Sequence, residues 1–102
     1  MNCNYQIILF DRKTGLSNVV FAMSTISSYF DKLNKRYKND FFIIIVEVNS
    51  REMNEKQVKG SLLINISIKK ENLKDKIISA IDKLLSNVQK FYNIEIKGEI
   101  CL

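Results

Sequence analysis

The segment Asp31–Ile45 reads DKLNKRYKNDFFIII, and the segment Asp82–Ile96 reads DKLLSNVQKFYNIEI, 51 residues further along a chain of 102. Each carries the polar end of an amphipathic helix into an apolar strand. At this offset the identities are Ile26/Ile77, Ser28/Ser79, Asp31/Asp82, Lys32/Lys83, Leu33/Leu84, Ile43/Ile94 and Ile45/Ile96. Self-similarity at a fixed spacing is the mark of a repeated supersecondary unit.

The flanking sequence fits that unit. Before the first segment, Val19, Ala22, Met23, Ile26, Phe30, Leu33 and Tyr37 recur every three or four residues. This predicts a long amphipathic helix, with Ser17 as its cap and Lys35, Arg36 and Lys38 at its C-terminal end. Before the second, Leu73, Ile77, Ile81, Leu84, Val88 and Phe91 make a second stripe, with Asn72 placed to cap it. Tyr5–Phe10 (YQIILF) opens the chain as a strand that stops at Asp11–Gly15. From Ser61, Leu62, Ile64, Ile66 and Ile68 alternate with Leu63, Asn65, Ser67 and Lys69, the pattern of a half-buried strand; Ile94, Ile96, Gly98 and Ile100 alternate similarly. Asn49–Gly60 is the most polar stretch and reads as a loop, or as a hairpin tip that lengthens the strands beside it.

The order is βαββαβ in one α+β domain, 1–102, made of two similar βαβ halves, approximately 1–51 and 52–102. Right-handed βαβ units closed by a hairpin give a ferredoxin-like four-stranded sheet with two helices on one face. The expected order places the Phe41–Val48 strand (FFIIIVEV) at an edge, although it is the most apolar of the four. Either a partner covers its outward face or the halves pack so that it is interior.

Chemistry is hard to assemble from these residues. There is no His and no CxxC, so zinc and haem lack a ligand set, and no cofactor is called for. Acid–base candidates reduce to Asp11, Asp40, Glu47, Glu52 and Glu55, at strand ends and in the polar stretch, where solvated turns account for most; Glu47 alone interrupts an apolar strand. Cys3 and Cys101 have no neighbouring base to activate them. Antiparallel first and last strands would bring the two within disulfide range, and two free thiols are the alternative. The expectation is a protein that is not an enzyme.

Sixteen Lys and Arg against 11 Asp and Glu give a net charge of +5. The longest apolar run is far short of the roughly 20 residues of a membrane helix, and nothing at the start resembles a signal peptide, so a soluble cytoplasmic protein is expected.

Three resemblances bear on function. Lys59–Ile66 stands where an RNA-recognition motif carries its basic-Gly-aromatic-x-aromatic signature, but Ser61 and Leu63 occupy the aromatic positions, so the stacking platform is missing. Asp11–Leu16 (DRKTGL) resembles the Asp-Arg-x-Gly-Leu turn of ACT regulatory domains, which share the βαββαβ order and bind amino acids at dimer interfaces. Here an extra residue precedes the Gly, and the following helix is nearly twice as long. In length, in Ile, Lys and Asn usage and in its two halves, the chain resembles small proteins of crenarchaeal filamentous viruses, including that of an Acidianus filamentous virus. That resemblance implies a host cytoplasm and no assigned activity, and the 11 Asn sit awkwardly with a hot habitat.

The first expectation is therefore a protein–protein interaction module. It would take a peptide or a second copy, as a homodimer, in the groove between the halves or along a strand edge, with Phe41, Phe42, Ile43, Ile44 and Ile45 as the contact residues. The alternative is nucleic-acid binding through phosphate contacts from Lys32, Lys35, Arg36, Lys38, Lys69, Lys70, Lys74 and Lys76. An ACT-like sensor turning on Gly15 is the third.

Overall fold

The computed structural model describes residues 2–13, 16–54 and 57–101, with the backbone alone at 52–54 and 101. Strands β1 (Asn2–Asp11), β2 (Phe41–Asn54), β3 (Gln57–Ile68) and β4 (Glu95–Cys101) alternate with helices α1 (Leu16–Arg36) and α2 (Lys74–Tyr92). The sheet is antiparallel in the order β2-β3-β1-β4, the ferredoxin-like arrangement, with β2 and β4 at its edges.

The two central strands carry the core. Cys3, Tyr5, Ile7 and Leu9 of β1 and Val58, Leu62, Ile64, Ile66 and Ile68 of β3 all point to the helix side and are buried. Burying one such aliphatic side chain is worth roughly 1.5–3 kcal/mol, so this double row dominates stability. Val19, Ala22, Met23, Ile26 and Phe30 of α1 and Ile77, Ile81, Leu84, Leu85 and Val88 of α2 close over it.

Two close approaches need glycine. A Cβ at Gly60 would lie 2.6 Å from Val19 Cγ1 and 2.7 Å from Met23 Sδ, so α1 rides directly on β3. At Gly98 of β4 a Cβ would collide with the Tyr5 ring, whose hydroxyl donates a hydrogen bond to Asp82 Oδ1 of α2. Tyr5 thus links the sheet centre to a helix through one polar contact.

The helix ends differ from expectation. α1 begins at Leu16, so Ser17 lies inside the first turn. Asn72 sits within a 3₁₀ turn, Glu71–Leu73; Leu73 occupies the N-cap of α2 and no side chain caps it. At the other end Asn93 is left-handed (φ 54°, ψ 47°), the conformation that stops a helix and that Asn tolerates better than most residues. Phe91 does not continue the stripe: it is 81% exposed, because the buried row runs from Val88 to Tyr92, four residues on. The two rings meet edge to face, with centroids 4.9 Å apart.

Of the two readings of the polar stretch after Val48, the hairpin that lengthens the strands beside it is the one found. β2 and β3 run on as one long hairpin that reverses between Asn54 and Gln57, a few residues past the expected division of the halves. A β-bulge between Ile45 and Glu47 breaks the register of β2.

Burial, then the Asp82 hydrogen bond and that carboxylate's charge, raise the Tyr5 phenol far above its ordinary value. The folded state therefore holds a proton that the unfolded chain releases above about pH 10, so stability falls as pH rises beyond that point. Tyr5→Phe is expected to cost about 1 kcal/mol at neutral pH and to flatten this alkaline decline, read by denaturant titrations at pH 7 and pH 11.

Candidate functional site

The structure divides the residues expected to contact a partner. Phe41 and Ile43 point to the helices and are buried, and Ile45 is partly so; Phe42 and Ile44 point to the open face and are 46% and 49% exposed. Past the bulge both faces of β2 are uncovered, with Val46 at 60% and Val48 at 57% exposure, while α1 still lies over Gly60 of β3 beside it. β2 is thus an edge strand covered by α1 on one face in its first half and bare from Val46 to Arg51.

Its exposed apolar row lies beside polar neighbours. Phe42 is opposite Ser67, and Ile44 is opposite Asn65, whose side-chain amide donates to Asn4 Oδ1 at 2.8 Å. Apolar exposure on the open face is therefore greatest at the edge strand, and the sheet centre is polar or half-buried.

The edge is closed where the helix passes it. Asn34 of α1 donates its side-chain amide to the Ile43 carbonyl (2.8 Å) and accepts the Ile43 N–H on Oδ1 (2.7 Å). The Phe41 N–H goes to the Tyr37 carbonyl at 3.1 Å. On the opposite edge Gln89 of α2 does the same work for β4, accepting the Ile96 N–H at 2.8 Å. Nothing in the sequence marks these two amides, which look like ordinary polar positions near helix ends.

The two basic segments, distant in sequence, meet at one end of the molecule. α1 ends there and α2 begins there; the Lys69 N–H bonds the Asp40 carbonyl, and Lys70 Nζ lies 3.8 Å from Asp40 Oδ1. Lys32, Lys35, Arg36, Lys38, Lys69, Lys70, Lys74 and Lys76 bring eight cations against Asp31, Asp40, Glu71 and Asp75, so this pole carries +4 of the chain's +5. Between the helix ends opens a cleft of about 230 Å³ bordered by Arg36 and Lys76.

The remaining candidates do not assemble. Asp11 accepts the Lys13 N–H at 2.9 Å and shapes the turn at the far end of β1, distant from Asp40. Glu47 accepts from Asn49 at 2.7 Å on an exposed strand. The side chains of Glu52 and Glu55 lie outside those described, as does Gly15 of the ACT-like turn. Among the described residues no three His, Cys, Asp or Glu side chains group to hold a metal, and no helix is long and apolar enough to cross a membrane. Cys3 is a free, buried thiol; the register sets Cys101 opposite Asn4 rather than Cys3, and the Cys101 side chain is outside those described.

The same fold occurs within much longer solved chains. It superimposes on a hydantoinase/carbamoylase family amidase from Burkholderia multivorans with a TM-score of 0.79 at 6% identity, and on one from Burkholderia ambifaria with 0.78 at 8%. A protein assigned as an amidohydrolase or peptidase from Burkholderia cenocepacia gives 0.80 at 14%. In all three the match covers 99% of this chain and 27% of the other. At such identity the likeness is one of fold. No known sequence family and no curated protein matches the chain.

Asn34→Ala is expected to lower stability by about 1–2 kcal/mol through loss of two edge hydrogen bonds. Hydrogen exchange of the Ile43 amide should speed up selectively, with the Ile64 and Ile66 amides of β3 little changed.

Proposed function

We propose that this chain is a non-enzymatic interaction module whose partner, most simply a second copy, pairs with β2 between Val46 and Glu52. The observation that carries the reading is the placement of exposed apolar side chains, Phe42, Ile44, Val46 and Val48, on an edge strand that loses its helix cover after the bulge. An edge strand offers a row of main-chain donors and acceptors, and a second strand satisfies them without new chemistry. The Asn34 lock confines that pairing to the half beyond Ile45.

The side chains favour a second copy over an unrelated peptide. An antiparallel self-pair centred on Asn49 sets Glu47 of each copy opposite Arg51 of the other. Both residues belong to the open face, since Glu47 is in register with Leu63 and Arg51 with Lys59. Within one copy Arg51 stands opposite Lys59, a like-charge pair that an incoming Glu47 would neutralise. Such an interface is isologous and closes at two copies.

Charge exchange tests this directly. Glu47→Arg alone and Arg51→Glu alone should each weaken self-association at least about tenfold by light scattering, and the double exchange should restore it, with hydrogen-exchange protection returning across Val46–Arg51. A monomer at every concentration, or a double exchange no better than either single change, would sink the self-pairing.

A second reading rests on the basic pole: contact with the phosphate backbone of a nucleic acid through the eight cations carried near the two helix ends. It requires binding that falls steeply between about 50 and 200 mM salt with little sequence preference, and that weakens when Lys74 and Lys76 are changed to Gln. An electrophoretic shift absent at low salt would remove it. The viral setting and the host cytoplasm belong to the same proposal and rest on the resemblance in layout.

A further inference from the structure

We infer that the cleft between the C-terminal end of α1 and the N-terminal end of α2 binds a small organic monoanion with a compact apolar body, such as an aromatic carboxylate. This site is independent of β2 pairing. The helices are fastened together at the opposite end, where Asn18 Nδ2 donates to the Tyr92 carbonyl (3.0 Å) and the Thr25 and Tyr92 hydroxyls meet at 2.6 Å. At the basic end they part over a floor of Leu33, Phe41, Leu73 and Ile77.

The shape and the polarity of the cleft point to the same ligand. Its volume, about 230 Å³, is below the roughly 300–1,000 Å³ of sites that take drug-sized molecules, so the occupant is small. One wall is aromatic: Tyr37 and Phe41 stack with centroids 5.5 Å apart and planes 21° from parallel. Arg36 holds its guanidinium 5.5 Å from the Tyr37 centroid, which orients it at the rim, and Lys76 borders the cleft from α2. Asp40, the one acid among the lining residues, has its carboxylate beside Lys70. Two cations over an apolar floor, with the neighbouring acid already engaged, select an anion whose body prefers to leave water. The positive end of the α2 dipole, which no side chain caps, adds to the same potential.

Phenylacetate, its cationic analogue phenethylamine and inorganic phosphate separate the terms. In an amide-detected NMR titration, phenylacetate should bind saturably, with shifts concentrated at Tyr29, Leu33, Tyr37, Leu73 and Ala80. Phenethylamine should bind at least about tenfold more weakly, and phosphate alone should leave the floor residues unmoved. Arg36→Gln with Lys76→Gln should cost about tenfold in phenylacetate affinity. Ala80→Leu, at an exposed helix position on the cleft wall, should abolish binding without unfolding the chain, as circular dichroism would verify. Equal binding of the acid and the amine, shifts scattered over the open face of the sheet, or full affinity in Ala80→Leu would overturn the proposal. So would phosphate reproducing the phenylacetate shifts.

Discussion

Two helices can cover one face of a four-stranded sheet and no more, and this constraint shapes every other feature of the molecule. The inward rows of β1 and β3 are buried along nearly their full length because both helices lie over them. The edge strands receive what cover remains. α1 reaches the first half of β2, where its last turns supply both a side chain and a carbonyl to the strand's outer edge. Beyond the bulge β2 lies outside the helix layer, although β3 beside it is still covered. The most apolar strand is thus divided between a half that belongs to the core and a half that belongs to the surface.

Much of this is legible in the sequence because side-chain period and burial are linked directly. The alternation of Leu62, Ile64, Ile66 and Ile68 fixed the inward face of β3, and the 3.6-residue stripe of α1 from Val19 to Phe30 is the stripe that is buried. The ferredoxin-like order follows from element order and handedness. The β2 side of the polar hairpin tip was less legible, since solvent on both of its faces removes the alternation that announces a strand. Phe91 misled for a related reason: on a helix whose last turn overhangs its support, Tyr92 takes the inward place and its neighbour is left in water.

The site was legible only in part. FFIIIVEV signals an excess of apolar surface without saying which residues carry it, because assignment to a face depends on the position of the bulge. The basic segments are visible as composition, but their meeting depends on the antiparallel course of two helices, the end of one at Arg36 and the start of the other at Lys74 being separated by a strand hairpin. Asn34 and Gln89 carry no signal at all, since a helix accepts an amide near its end for many reasons. The apolar edge and the basic cleft adjoin at the start of β2, where Phe41 lines the cleft and Phe42 lies beside Lys35 and Lys38.

The β1–β4 ladder has a consequence for how such a body is used. Asn4 is in register with Cys101, so the beginning of the first strand and the end of the last lie side by side on antiparallel neighbours. Adjacent strand ends of this kind let a fold be spliced into a surface loop of another chain without forcing the loop's ends apart. The solved chains that share this fold carry it as 27% of their length. In this chain the pairing of Asn4 with Cys101 sets those two strand ends side by side.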